Sequence, residues 1–519
     1  MAEAGDVPSG SSTVSSISDL SLDLGDNNSD LCDDDEEQDE GNMDGHWSQW
    51  ANAICEGLGI CSGGASPLGP RGGQPAEPLN VGTLCAGTDA PVHSLGQLLS
   101  QDQYVHQFSL DNWEPSEDFI RTNFQPQHFY KDINVLLSDH ASCCCCICGP
   151  SVPCAIFNEV RMDVLTMGFP CTPYSTLNVC RWVEGYDPFQ EPAARPIFVL
   201  SEWLRKKDTP KPKLLILENV AGLMLPLNNS VLRIKYPTPL AYILEGSSFR
   251  MKDGKRKKFR HGLMHVPDYT TKVITLDACT AGLPHRRRRV FIIMVHKDIQ
   301  PDWDKFNSML RTVKTKPLKP FPMDDFICES EAEQLTCQQQ NKRARTRRGT
   351  KELVPWKSMQ SMTIFRMDHG LPPHSKPFRS TAQKDLLGKL SPREQQMLDC
   401  IFELFIKTNG HVPDDLIVNV NEGIARRPWC RGRIRCISTG SKIYYHKIGK
   451  LLNIPTKFQL MGWVPDRLVL TGSLVTNVSN VNTLLGNMIA VPTIGTVELL
   501  LLVCCFPQFQ HLYRQDLAA

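Results

Sequence analysis

The chain has 519 residues, 56 Lys plus Arg against 56 Asp plus Glu, and is 41% hydrophobic and 22% charged. That length exceeds one simple core, and the composition excludes a fibrous or wholly disordered chain. The 20 cysteines follow an acidic, serine-rich N-terminus rather than a secretory leader, so reduced intracellular thiols are expected.

Residues 1–78 read as a disordered acidic tail. The first 45 hold 14 acidic and no basic residues, and Asp33-Asp34-Asp35-Glu36-Glu37 is a like-charge block. The remainder is then basic by 56 to 42, which suits a polyanionic partner and leaves a protein partner open for the tail. Trp47, Trp50, Ala53, Ile54 and Leu58 have helical spacing, read as a transient helix. Leu79–Leu84, a turn containing Gly87 and a helix from Ala90 form the first unit of a doubly wound nucleotide-binding fold. A second strand, Val105–Leu110, ends at Asp111-Asn112, and an acid there suits ribose hydroxyls. Asp132-Ile133 follows a third element.

Cys143 to Cys148, with Cys154 beyond, offers zinc-like local spacing. No second pair stands at the right distance, so a cysteine-rich surface insertion and no metal site are expected. The run Val164–Met167 is a buried strand leading into Gly168-Phe169-Pro170-Cys171-Thr172-Pro173-Tyr174-Ser175. Two prolines stiffen this loop around one thiol. Leu214–Leu217 is a strand ending in Glu218-Asn219-Val220. Val273–Leu276 leads to His285-Arg286-Arg287-Arg288-Arg289 and a further strand, in which Arg287 and Arg289 alternate and so face one way. A thiol, an acid and guanidiniums at strand ends are what nucleophilic attack on an electron-poor ring requires. Lys252–Arg260 and Asn341–Lys351 are basic, as nuclear import signals or phosphate contacts are. From Pro301 to His446 the periodic pattern fades. The apolar run Ile494–Phe506 is shorter than the roughly 20 residues of a membrane span and reads as a buried helix, with no membrane expected.

GFPCTPYS, ENV and HRRRR, in that order, resemble the cytosine-5 DNA methyltransferases, whose hallmarks are "GFPCQPFS", "ENV" and "QxRxR". Gly87 matches the family's "DLFxGxGG", with Cys85 in place of the aromatic and Asp89 in place of a glycine. Asn123-Phe124 and Asp132-Ile133 match "NF" and "GDI". Ile454–Trp463 resembles "LTxxExxRLQGFP" without its acid, and Leu485–Pro492 resembles "GNAVPP". The likeness covers about 79–300 and 450–506.

The resemblance implies an α/β fold, a Rossmann-like S-adenosylmethionine methyltransferase sheet with a smaller target-recognition domain. Residues 79–300 would be the first part of the catalytic domain, 301–450 the target-recognition region and 451–519 the returning catalytic part. It implies transfer of a methyl group from S-adenosyl-L-methionine to carbon 5 of cytosine in DNA, in the nucleus, on a flipped-out base. Cys171 would be the nucleophile, with Glu218, Arg287 and Arg289 catalytic beside it. Cys85, Gly87, Asp111, Asn112, Asp132, Ile133, Pro170 and Asn487 would hold the cofactor, and Pro173, Ser175 and Asn219 would position the base. Two alternatives stay open: a tRNA cytosine-5 methyltransferase, from which Tyr174-Ser175 weighs towards DNA, and an inactive methyltransferase-like DNA-binding protein.

Overall fold

Seven apolar runs form one sheet in the computed structural model, which describes residues 47–60, 66–68, 77–138, 154, 156–250, 256–328, 356–373 and 389–513. The acidic segment to residue 46, the Cys143–Cys148 cluster and the basic segment Asn341–Lys351 lie outside these residues. The strands are β1 (Leu79–Leu84), β2 (Tyr104–Leu110), β3 (His128–Tyr130), β4 (Val164–Gly168), β5 (Leu214–Val220), β8 (Tyr269–Leu276) and β9 (Arg289–His296), after an intervening hairpin of β6 (Gly246–Arg250) and β7 (Arg256–His261). That hairpin takes up much of the basic stretch Lys252–Arg260.

The order is β3-β2-β1-β4-β5-β9-β8. β1 to β5 pair in parallel, and β9 alone runs the other way, antiparallel to both β5 and β8. The central strands β4, β5 and β9 are buried almost end to end, as two-sided cover by helices demands. The expected mostly parallel α/β sheet is therefore present. Strand order reverses between β1 and β4, and in such sheets the crevice beyond the carboxyl ends at that point is the ligand site.

The C-terminal helix Val491–Cys505 is buried along its whole length, packed against helices Ala90–Leu98 and Trp303–Thr315. Together with the preceding helix it makes a stretch, Val478–Cys505, apolar and long enough to cross a membrane by length and composition. Its apolar window is entirely buried inside the protein. Order begins earlier than the sequence suggests. The helix Trp50–Gly57 is not transient: Trp50, Ala51, Ile54 and Cys55 are buried in the main core. The docking depends on Gly495, where a Cβ would come within 2.1 Å of the Trp50 ring.

The stretch after Pro301 is also more regular than its composition indicates. Helix Trp303–Thr315 buries Phe306, Met309, Leu310 and Val313 against the main core. Further on, helices Trp356–Asp368 and Pro392–Asn409 pack with a four-stranded sheet of order β11-β10-β12-β13: β10 Leu416–Asn419, β11 Trp429–Arg431, β12 Ile443–Tyr445 and β13 Lys450–Leu451. This second layer has its own apolar core, centred on Leu398, Ile401, Leu416, Val418 and Tyr444.

Candidate active site

The cysteine loop starts where β4 ends. The Cys171 carbonyl accepts the N–H groups of both Tyr174 and Ser175 (2.9 Å each), closing a tight turn that Pro173 stiffens. Pro173 and Tyr174 are buried, while Pro170, Cys171 and Ser175 are half-buried. The neighbouring strand holds the loop, for Asn219 Nδ2 donates to the Phe169 carbonyl (2.9 Å) in a buried bond. Arg181, fully buried, donates to the Tyr174 carbonyl (2.8 Å) and to those of Leu225 and Pro226. The thiol is thus carried on a backbone fixed from two sides. Ser175 Oγ accepts from Leu177 N (3.2 Å) and shapes the loop.

Glu218 is at the end of β5, one strand from β4. Its Oε1 accepts from Arg289 Nε at 2.8 Å, both side chains being about nine-tenths buried. The Oε2 makes no hydrogen bond among the described residues, and a Cβ on Gly168 would lie 3.8 Å from it. Burial pushes the Glu218 carboxyl up, and the charges of Arg289 and Arg287 offset part of that rise. Burial likewise pushes the Cys171 thiol up; Arg289 and Arg287 pull it down and Glu218 pushes it further up. Burial thus disfavours charge on both the acid and the thiol, and the two guanidiniums beside them oppose this and can stabilise a thiolate.

Arg287 and Arg289 face inward as the alternation implied, and their partners differ. Arg287 donates to the carbonyls of Ile437 (2.7 Å), Gly486 (2.9 Å) and Met488 (2.6 Å), and its own N–H is held by Asp277 (2.7 Å). Its guanidinium joins the second layer to the segment before the C-terminal helix, and it acts on the thiol and the acid through its charge alone. Arg287→Ala would strand three carbonyls and should cost at least about 3 kcal/mol of stability. Arg287→Lys should not restore it, because one ammonium cannot bridge three fixed acceptors. Thermal melting of the three proteins checks this.

Next to this cluster, at the β1/β4 switch point, a cavity is lined by Cys85, Gly87, Thr88, Thr166, Gly168, Asn487 and Ile489 among others. Cys85, Gly87 and Asp89 all have positive φ (48°, 60° and 52°), a tight run in which glycine is the natural residue. Asp89 tolerates it because its buried carboxylate accepts from Thr83 and Ser109 (2.6 Å each), while burial pushes it up to about 7. Asp111 does not line the cavity. It braces the cavity's rim, accepting from Gly87 N (2.8 Å) and Trp113 N (2.9 Å). Asn112 is exposed beside it.

Asp132 is exposed and spends Oδ1 on the N–H of Asn134 (2.9 Å), as the cap of a short helix, and on the Asn134 amide. Ile133 is buried in the neighbouring core. Neither these two residues nor Pro170 lines the cavity. Thr88 and Thr166, not singled out from the sequence, do line it, and their hydroxyl oxygens are buried without a partner among the described residues. Two orphaned hydroxyls and the open space over Gly87, where a Cβ would meet nothing within 4 Å, fit a polar ligand such as S-adenosylmethionine. Among the described residues no cluster of three or more metal-ligating side chains occurs. Cys154 Sγ stands 3.2 Å from His128 Nδ1, away from both sites.

Comparison with known proteins places the chain. Type II methyltransferase M.BsuFI of Bacillus subtilis is 28% identical over 137 residues, which is 26% of this chain and 25% of that protein, so the match spans a quarter of the relative's length. The S. pombe Dnmt2 methyltransferase structure aligns with TM-score 0.39 and 12% identity, over 82% of this chain and 98% of that one. The Entamoeba histolytica methyltransferase EhMeth aligns with TM-score 0.40 and 13% identity, over 82% and 98%. The family model described as C-5 cytosine-specific DNA methylase matches residues 80–396, more than half of the chain. The chain belongs to the C-5 cytosine-specific DNA methylase family.

Proposed function

We propose that the protein transfers a methyl group to carbon 5 of cytosine in DNA through a covalent Cys171 adduct on an extruded base. The observation that carries this reading is the meeting of three strand ends: Cys171 after β4, and the Glu218–Arg289 pair at 2.8 Å joining β5 to β9. Cytosine carbon 5 is a poor nucleophile on its own. Addition of Cys171 Sγ to carbon 6 forms a C–S bond and moves an electron pair towards carbon 5. Glu218, whose hold on a proton burial strengthens, gives a proton to ring nitrogen 3 as charge gathers there. Arg289 holds the carboxyl in place and, with Arg287, favours the thiolate that attacks. S-adenosylmethionine, when bound, supplies an electrophilic methyl group. Carbon 5 would take it, leaving S-adenosylhomocysteine; the carbon-5 proton then passes to solvent water, elimination breaks the C–S bond and returns the thiolate, and ring nitrogen 3 gives its proton back to Glu218. Cys85, Gly87, Thr88, Thr166 and Asn487 would hold the cofactor, with Asp111 bracing the loop and Asp132 outside the cavity. A base stacked in a duplex cannot reach Cys171, so the target must flip out.

The reading predicts that duplex DNA containing 5-fluorocytosine forms a denaturant-resistant complex with the protein in the presence of S-adenosylmethionine, because fluorine cannot leave as a proton does. A gel shift under denaturing conditions reads it, and trapping of fluorinated RNA alone would contradict it. Asp111→Ala should weaken S-adenosylmethionine binding by about 1–3 kcal/mol, since the Gly87 N–H of the cofactor loop and the Trp113 N–H beside it lose their acceptor. Calorimetry on both proteins measures it, and equal affinity would remove Asp111 from the cofactor site. The basic segments, the second layer as the target-recognition domain and a nuclear location belong to the same proposal.

A further inference from the structure

Arg286 and Arg288 are exposed, while His285, Arg287 and Arg289 between and around them are buried. The segment is extended and alternates, one face turned to the catalytic cluster and the other to solvent. It pairs in parallel with the second layer, where Arg286 N donates to the Ile434 carbonyl and Ile434 N to the Pro284 carbonyl (2.8 Å each), making His285 and Ile434 partners. Paired residues on adjacent strands point to one side. His285 and Ile434 both point inward, so exposed Arg286 and half-buried Arg433 and Arg435 share the outer face. Arg286 and Arg433 are close enough together that both act electrostatically on the Cys279 thiol. Arg435 in turn donates to the carbonyls of Arg426 and Arg427, which brings those exposed guanidiniums alongside.

Six arginines from two separate stretches of chain thus form one surface. Arg286, Arg288, Arg426, Arg427 and Arg435 have no acidic partner among the described residues, whereas the nearby Arg431 is paired with Asp415 at 3.0 Å. Like charges gathered on one face repel one another, and a polyanion relieves that repulsion.

We infer that Arg286, Arg288, Arg426, Arg427, Arg433 and Arg435 form a clamp for the phosphodiester backbone of duplex DNA, flanking the base presented to Cys171. The inference rests on the proposed function and deepens it. The same five-residue segment that turns Arg289 towards Glu218 turns Arg286 and Arg288 towards the backbone. Each guanidinium–phosphate contact releases counterions, so affinity falls log-linearly with salt.

The test is fluorescence anisotropy with a labelled DNA duplex, titrated between 50 and 200 mM NaCl. Wild type, Arg286→Gln/Arg288→Gln, Arg426→Gln/Arg427→Gln and the paired control Arg431→Gln are compared, with S-adenosylmethionine binding measured on each as a check of folding. Each double variant should lower the slope of log K against log salt by roughly 1.8, or 0.9 per lost contact, and Arg431→Gln should lower it far less. A folding defect would weaken cofactor binding and would not reduce the slope in this stepwise way. Unchanged slopes in variants of a wild type that methylates DNA would overturn the clamp alone. A wild type that ignores duplex DNA and methylates tRNA would overturn the substrate reading, and the clamp for DNA with it.

Discussion

Cys171→Ala is expected to lower methyl transfer by at least about 10^3-fold, equivalent to ~4 kcal/mol of barrier, while cofactor binding survives. The loss is large because Cys171 is the proposed carbon-6 nucleophile and is carried on a loop pinned by Asn219 and Arg181. The fold should be unaffected, since the side chain is half-buried and the turn is made by the Cys171 carbonyl rather than its sulfur. The thiol also has a pH signature. Burial raises its pKa, so alkylation of Cys171 by iodoacetamide, followed on its own peptide by mass spectrometry, should gain speed at a higher pH than the ~8.5 of a free thiol. Arg289 pulls that pKa down, so Arg289→Gln should move the inflection higher still. Turnover by the alanine variant at the wild-type rate would remove Cys171 from the mechanism.

Glu218→Gln should cost about 10^2- to 10^4-fold in single-turnover rate, the range for losing a positioned general acid. Glutamine keeps the shape and a hydrogen bond, and cannot give up a proton to ring nitrogen 3. The raised pKa of Glu218 extends the window in which it stays protonated upward in pH. Wild-type activity should then be lost as pH rises through that folded-state value, and the glutamine variant should lack this particular fall. Some stability should go too, because Arg289 loses its buried carboxylate partner. A rate within threefold of wild type would leave Glu218 as a mere anchor for Arg289.

The strand ends that carry the candidate site were legible because their signals are local. An apolar run that stops at a Pro-Cys-Thr-Pro turn, or at Glu-Asn, marks a strand end whatever lies elsewhere in the chain. Alternation likewise told which arginines share a face. What local pattern could not tell is what they meet: the Arg287 acceptors are 150 to 201 residues away in sequence. The docking of Trp50 is hidden for the same reason, since its seat is Gly495. Other features are local but lie in polar surroundings that mask them. Phe306, Met309, Leu310 and Val313 have helical spacing within a proline- and lysine-rich stretch, and Ser391-Pro392-Arg393-Glu394 is a capping box with proline at the first helical position. Asp132, read from the sequence as a cofactor residue, caps the short helix that follows it. Thr88 and Thr166 gave no signal, because a threonine matters here only for what its hydroxyl lacks.

The central claim, cytosine-5 methylation of DNA, is tested most directly by incubating the full chain with isotopically labelled S-adenosylmethionine and, separately, duplex DNA and tRNA. Each nucleic acid is then digested to nucleosides for mass spectrometry. The account predicts labelled 5-methyl-2′-deoxycytidine from the DNA, absent with Cys171→Ala. Labelled 5-methylcytidine from tRNA with unlabelled DNA, or no labelled nucleoside from either despite measurable cofactor binding, would contradict it.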